Sequence, residues 1–205
     1  MQPQRGIARI EAAFDAARQD ERAVLVAYLT LGYPTPEDSV ALIQAVVEAG
    51  ADIVELGIPF SDALADGPTI QRASDTALRQ GMTVARCLEL ATAVRARGVD
   101  VPLLFMGYYN PILSYGEVRF TCACREAGVD GLIVPDLPPE EGGALEAACA
   151  SEALALVYLL APTSTEERIR LIAQRSRGFI YLVSVTGTTG ARDTLPLYLE
   201  GFVQR

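Results

Sequence analysis

Three carboxylates lie close together between residues 51 and 68, and their spacing suggests acid–base chemistry. Glu55 falls in the middle of an apolar run, 51–58, whose Val, Ile and Leu content is typical of a buried strand. Asp62 and Asp66 follow in a segment interrupted by Pro and Gly, which is typical of a loop. A buried carboxylate is costly, so it either finds partners or keeps its proton. A Glu in that situation could act as a general acid and a general base.

The position of Glu55 within its strand predicts where the carboxylate points. Side chains alternate along a strand, so Ile53, Glu55 and Gly57 share one face and Val54 and Leu56 share the other. If the face with Glu55 is the inner one, its carboxylate lies near the carboxyl end of a buried strand. That end is where α/β folds place their reacting groups. The alternative is a structural Glu that pairs with a neighbouring loop.

The composition limits the chemistry further. The chain has no His, and all 17 of its basic residues are Arg. The absence of Lys excludes Schiff-base chemistry. The absence of His excludes Ser-His pairs, Cys-His pairs and imidazole metal sites. Acid–base catalysis must use carboxylates, Tyr or Cys, and a phosphate must be held by Arg or by backbone N–H groups. We predict no metal and no organic cofactor.

Charge and hydropathy exclude two classes of partner. The formal net charge of −9 argues against a nucleic-acid or anionic-membrane surface. No apolar run reaches the length of a membrane span, and residues 1–9 are polar with no apolar signal region after them. We therefore predict a cytoplasmic protein. The four cysteines are predicted to be small apolar residues in a reducing compartment.

Strand-like and helix-like segments alternate along the whole chain. The strands are predicted at 24–30, 51–58, 101–107, 129–135, 154–160 and 178–185. The helices are predicted at 7–18, 37–48, 69–79, 84–97, 117–126, 139–151, 165–174 and 193–204. This alternation indicates an α/β fold built from right-handed βαβ units around a parallel sheet.

Five motifs, in order along the chain, resemble those of the tryptophan synthase α subunit family. They cover residues 28–34, 55–68, 106–111, 130–138 and 181–190. The resemblance implies a (β/α)8 TIM barrel, of which this chain carries only about six βα units. The chain is thus expected to be a single barrel domain, 1–205, that is incomplete at its C-terminal end. An open doubly wound sheet is the alternative fold.

The same resemblance implies a reaction: cleavage of indole-3-glycerol phosphate to indole and glyceraldehyde 3-phosphate, in tryptophan biosynthesis. By resemblance, Glu55 is the catalytic acid–base and Asp66 holds the indole N–H. A helix-capping role is the alternative for Asp66, and the two roles are compatible. Asp62 is predicted to structure the loop through its own hydrogen bonds.

Five further residues are predicted to bind the substrate by resemblance. Tyr28 and Tyr108 match positions that line the indole pocket. Tyr181 matches a residue beside the catalytic Glu, and Thr189 and Gly190 belong to a small polar loop that closes over the substrate. For the three tyrosines, ordinary core packing is the alternative. Gly190 allows a backbone to approach a phosphate closely.

The resemblance also implies a partner, the pyridoxal-phosphate β subunit of tryptophan synthase, in an α2β2 assembly. By resemblance, Ala63 stands where the family usually has Pro, which makes the loop with Asp62 and Asp66 less rigid by sequence. Ala27 likewise stands in place of a usual Pro in the first strand. A second hypothesis is that a chain without its last two units is a catalytically dead remnant that only binds a β chain. By itself, the 205-residue chain is expected to self-associate or to be partly molten, and to have negligible cleavage activity.

Overall fold

A computed structural model of the chain describes residues 5–63, 66–183 and 198–204, and short parallel strands alternate with helices throughout. The strands are β1 (Val26–Thr30), β2 (Ile53–Gly57), β3 (Leu103–Met106), β4 (Gly131–Ile133), β5 (Ala155–Val157), β6 (Leu159–Leu160) and β7 (Tyr181–Leu182). The helices are α1 (Ile7–Gln19), α2 (Pro36–Glu48), α3 (Pro68–Arg79), α4 (Val84–Ala96), α5 (Tyr109–Tyr115), α6 (Glu117–Glu126), α7 (Gly143–Ser151), α8 (Glu166–Arg175) and α9 (Leu199–Val203).

The order of the strands distinguishes between the two folds considered from sequence. Strands β1 to β5 form one parallel sheet in which every strand pairs with its neighbour in sequence, and β6 pairs with β7. A doubly wound sheet reverses its strand order at a switch point, whereas a barrel adds its strands in sequence order. The observed order is that of a barrel wall, so the doubly wound alternative is wrong.

Apolar side chains form two clusters, one on each side of the sheet. Val54, Leu56 and Phe105 face the helices, whereas Ile53 and Leu104 face the inner side, as the alternation along β2 predicts. Helix α1 packs Ile10 into the inner cluster, together with Phe14, whose ring centroid is 5.7 Å from that of Phe179. None of the helices in the described ranges has the length and apolar character that a membrane span requires.

Helix α1 is held at the amino-terminal ends of the strands by a buried carboxylate. Asp130, which is only 1% exposed, accepts hydrogen bonds from Arg9 and Arg95, at 2.8 and 2.6 Å. It also accepts from the backbone N–H groups of Gly6 and Leu103. This cluster lines a cavity of about 450 Å³ that lies on the side of the sheet opposite to the carboxyl ends. It ties α1, α4, β3 and the start of β4 together.

Most predicted elements are present, with shorter strands. The predicted strand 154–160 divides into β5, which pairs with β4, and β6, which pairs with β7. At the division, the Tyr158 N–H is donated to the Ser176 hydroxyl at 3.2 Å. The predicted helix 139–151 begins as a 3₁₀ turn, Pro139–Glu141, and continues as α7.

Helix α5 was not predicted. Pro111 lies in its first turn, where a missing N–H costs nothing, and Gly116, at φ 93°, separates it from α6. Of the predicted strand 178–185, the structure describes residues 178–183, which include β7. Of the predicted helix 193–204, it describes residues 198–204, which include α9.

Candidate active site

The inner faces of β1 and β2 place four residues side by side at the carboxyl ends of the strands. Tyr28 is the register partner of Glu55, and Thr30 is the register partner of Gly57. Because these positions alternate with residues that face the helices, all four belong to the inner surface. The polar side chains of Tyr28, Glu55 and Thr30 therefore interrupt the otherwise apolar inner surface, just before the loop that follows β2.

Glu55 is 4% exposed, and no hydrogen bond or ion pair joins its carboxyl group to any of the described residues. Its neighbours on the inner surface include Leu104, its register partner on β3. Burial disfavours the charged form and raises the pKa of Glu55 from 4.5 to about 7. The structural alternative, a Glu paired with a neighbouring loop, is therefore not observed in this part of the chain. A carboxyl with this pKa can donate and accept protons at neutral pH.

The two aspartates of the following loop differ in environment. Asp62 is exposed and accepts a hydrogen bond from the Ser61 hydroxyl at 2.7 Å, which agrees with its predicted loop-structuring role. Asp66 is half-buried, and burial raises its pKa. Helix α3 begins after Gly67 with no side-chain cap, so the alternative of a helix-capping Asp66 is wrong. The Asp66 carboxylate therefore does not cap helix α3.

The loop segment around Asp66 is fixed through its backbone. The N–H of Asp66 is donated to the carbonyl of Ala63 at 3.2 Å. From the first turns of α3, the Gln71 amide donates to the carbonyls of Ala63 and Asp66, at 3.2 and 3.0 Å. This anchoring holds the Asp66 backbone although Ala63 replaces the usual Pro.

The tyrosines that the resemblance implies gather around these carboxyl groups. The pKa of Tyr28 is raised to about 12, mainly by burial, with smaller contributions from the charges of Asp66 and Glu55 and from Tyr108. Burial and the charge of Glu55 raise the pKa of Tyr181, whose side chain belongs to the inner cluster. The charges of Glu55 and Asp66 and the Tyr108 hydroxyl thus act on the pKa of Tyr28, and the charge of Glu55 acts on the pKa of Tyr181.

Several residues of this region were not predicted from sequence. Phe60 packs its ring on Tyr108 at a centroid distance of 5.2 Å and joins the loop after β2 to the loop after β3. Asp136, at the carboxyl end of β4, accepts the N–H of Tyr109 at 2.9 Å and positions the start of α5. The position of Asp136 after a strand was the sequence signal that could have revealed it.

Thr189 and Gly190 lie outside the described residues, so the predicted phosphate loop stays a prediction. Within the described ranges no group of His, Cys, Asp and Glu side chains could hold a metal ion. The cysteines are unpaired: Cys87, Cys124 and Cys149 are buried and Cys122 is half-buried. Burial raises the pKa values of Cys87, Cys124 and Cys149, which keeps these thiols protonated and unreactive.

A sheet with the strand order of a barrel, and a buried carboxyl with a raised pKa at the carboxyl ends of its strands, are typical of enzymes of the β/α-barrel class. The sequence model of the family "Tryptophan synthase alpha chain" matches residues 14–205. The chain belongs to this tryptophan synthase alpha chain family. It is therefore a lyase-family member of tryptophan biosynthesis with a TIM-barrel fold, as the sequence motifs predicted.

Individual relatives agree with this assignment. The chain is 50% identical to the tryptophan synthase alpha chain of Dehalococcoides mccartyi over 97% of its own length and 76% of that protein. It is 48% identical to that of a Roseiflexus species with the same coverage. The structure of Mycobacterium tuberculosis tryptophan synthase matches with a TM-score of 0.89 and 41% identity, over 98% of this chain and 77% of the other. The chain thus spans about three-quarters of these relatives.

Proposed function

We propose that this protein cleaves indole-3-glycerol phosphate to indole and glyceraldehyde 3-phosphate by a retro-aldol reaction. The observation that carries the proposal is Glu55, a buried carboxyl with a pKa of about 7 and no partner among the described residues. A group that is half-protonated near neutral pH can supply one proton and take up another in the same turnover. The reaction requires both transfers.

In the proposed mechanism, neutral Glu55 protonates the ring carbon that bears the glycerol side chain. The ring then accepts the electron pair of the breaking carbon–carbon bond, so neither a lysine imine nor a Lewis acid is required. The adjacent hydroxyl gives its proton to the Glu55 carboxylate as it becomes the aldehyde, which restores the starting state. Asp66 accepts a hydrogen bond from the ring N–H and stabilises the positive charge that protonation creates there.

The aromatic side chains supply the apolar part of the proposed site. Tyr108 is 9% exposed and packs on Phe60, and both lie at the carboxyl ends of the strands. Tyr181 lies on the inner surface near Glu55. A flat aromatic substrate suits such a wall, because ring contacts bury large apolar areas. Thr189 and Gly190 are proposed to hold the phosphate.

We also propose a tryptophan synthase β subunit as the partner that receives the indole, docking near the loop that carries Asp62. The four free cysteines fit a reducing compartment, so the cytoplasm is the proposed location. The hypothesis of a binding-only remnant has no observation in its favour.

The proposal is tested on the protein expressed from its complete gene, incubated with indole-3-glycerol phosphate. We expect indole and glyceraldehyde 3-phosphate in equal amounts, at a rate that survives exhaustive chelation and dialysis. A heat-denatured sample is the control. Failure to release indole would refute the proposed reaction, and activity that disappears with chelator and returns with a divalent ion would refute its metal-free mechanism.

A further inference from the structure

The space on the inner surface beyond Glu55 is occupied by the side chain of Tyr28. Gly57 follows Glu55 on the same face of β2 and has no side chain to fill that space. The Tyr28 ring leans across from β1 into the gap: a Cβ atom built on Gly57 would overlap the Tyr28 hydroxyl and would lie 2.6 Å from its Cζ. The Tyr28 hydroxyl is therefore held against β2, one inward-facing position beyond the catalytic carboxyl.

The hydrogen bonds around Tyr28 leave its own proton available. The Thr30 hydroxyl, two residues further along β1, donates to the Tyr28 oxygen at 3.4 Å. Within the described ranges, no group accepts the Tyr28 proton. Because burial raises the pKa of Tyr28 to about 12, the hydroxyl keeps that proton at neutral pH. A largely buried donor without an acceptor is costly, and a bound substrate could supply the acceptor.

The electrostatic surroundings of Tyr28 connect it with the proposed chemistry. The charges of Glu55 and Asp66 both raise its pKa, as does Tyr108, so these groups are close enough to the hydroxyl to act on it electrostatically. In the proposed reaction, the side-chain oxygen next to the indole ring loses its proton to Glu55. That oxygen must lie within hydrogen-bond reach of Glu55, which places it near Tyr28.

We propose that Tyr28 is a third functional group of the site, whose hydroxyl donates a hydrogen bond to the substrate oxygen that Glu55 deprotonates. This inference rests on the proposed function. The oxygen gains negative charge while its proton moves to Glu55, and a fixed donor stabilises that charge. Tyr28 keeps its proton throughout, so no atom or charge is transferred through it. Thr30 and Gly57 are positioning residues that hold the hydroxyl in place.

The test compares two ligands that differ only at the side-chain hydroxyls. Indole-3-glycerol phosphate carries the oxygen in question, and indole-3-propanol phosphate lacks it. In the protein expressed from its complete gene, Tyr28→Phe should lower kcat/KM for the first about 10- to 100-fold and change Kd for the second less than about 3-fold. Tyr115→Phe removes a hydroxyl from a half-buried Tyr outside the site and is the matched control.

Three further variants test the positioning residues and keep the inference testable if Tyr28→Phe misfolds. Thr30→Val should lower kcat/KM about 3- to 10-fold, and Thr30→Ser should recover most of that loss because it keeps the donor. Gly57→Ala should displace the Tyr28 ring and weaken both ligands.

The outcomes separate this inference from the proposed function. If the unsubstituted protein does not cleave indole-3-glycerol phosphate, the proposed function fails and the role of Tyr28 fails with it. If cleavage proceeds and Tyr28→Phe leaves kcat/KM unchanged, only the role of Tyr28 is wrong. An equal loss for both ligands would likewise overturn it, because Tyr28 would then act through ring packing alone.

Discussion

At the scale of single residues, the three carboxyl groups around the end of β2 differ in their environment. Glu55 and Asp66 are at least half-buried with raised pKa values, whereas Asp62 is exposed and bonded to its neighbour. Sequence alone identified all three as acidic residues around one strand end. The apolar run around Glu55 predicted its burial, but sequence could not show how far Asp62 and Asp66 are buried, because burial in a loop depends on the strands and loops around it.

The contrast between the two aspartates predicts the outcome of matched substitutions. Asp66→Asn should lower kcat for indole release by about 10- to 100-fold, because an amide cannot stabilise positive charge at the ring nitrogen. Asp62→Asn, in the same loop, should leave kcat within about 2-fold in the absence of a β subunit. Steady-state release of indole measures both. Equal effects of the two substitutions would show that the loop acts only through its conformation.

Glu55 should also make stability depend on pH. Below pH 4.5 the carboxyl is protonated in both the folded and the unfolded state. Between pH 4.5 and about 7 only the folded state keeps the proton, so the free energy of unfolding falls as the pH rises. Above pH 7 the free energy of unfolding has fallen by about 3 kcal/mol at most, because each pKa unit corresponds to about 1.4 kcal/mol.

Glu55→Gln should therefore be more stable than the unsubstituted protein at pH 8, by about 1 to 3 kcal/mol, and similar to it at pH 4. Glu11→Gln changes an exposed carboxyl on α1 and should show no such difference. Urea unfolding at the two pH values measures the effect. The stability difference between Glu55→Gln and the unsubstituted protein could instead be the same at pH 4 and pH 8. That result would mean that the folded state does not disfavour the ionised carboxyl.

At the scale of elements, the Asp130 cluster joins α1 to the barrel wall. The Asp130 carboxylate is 1% exposed and accepts hydrogen bonds from Arg9, Arg95 and two backbone N–H groups. Asp130→Asn should destabilise the protein by about 3 to 5 kcal/mol, because Arg95 would lose the charge that compensates it and Arg9 would keep only the exposed Asp100. Urea unfolding measures this loss.

The control for that substitution is an exposed ion pair. Asp75 and Arg79 lie one turn apart on α3 with side chains 59% and 78% exposed. Asp75→Asn should cost less than about 0.5 kcal/mol, as such pairs on helices do. If Asp130→Asn costs no more than Asp75→Asn, the cluster does not hold α1 in place.

The elements also show why sequence predicts some features and not others. Helix α6 has the bounds that its pattern predicts, because local periodicity and Gly116 fix both ends. Helix α5 was missed, because Asn110-Pro111 resembles a loop and only contacts from other loops, such as the Asp136 carboxylate, complete its first turn. The overlap between Tyr28 and Gly57 depends on the register of β1 against β2, which no local pattern specifies.

At the scale of the whole molecule, the first and the last of the described strands each pair on one side only. Within the described ranges β1 pairs only with β2, and β7 pairs only with β6. Leu25 and Val26, at the start of β1, are 56% and 36% exposed. Unpaired edges with exposed apolar residues are templates for association. The 205-residue polypeptide by itself should therefore sediment as dimers or larger species.

A charge placed on that edge should reduce the association. Val26→Lys should shift the polypeptide toward monomer in sedimentation velocity, since an edge lysine disfavours strand pairing. Val118→Lys, at a 71% exposed position on α6, should not. The 205-residue polypeptide could instead be a monomer that unfolds cooperatively and releases indole. That result would show that its unpaired strand edges neither cause association nor prevent activity.

The proposal that Glu55 moves the protons of the reaction is tested most directly by Glu55→Gln in the protein expressed from its complete gene. The variant should lower the rate of indole release from indole-3-glycerol phosphate at least about 100-fold, because an amide neither donates nor accepts the proton. Its Kd for indole-3-propanol phosphate should stay within about 3-fold, which shows that the site is intact. A Glu55→Gln protein that releases indole at nearly the unsubstituted rate would contradict the mechanism.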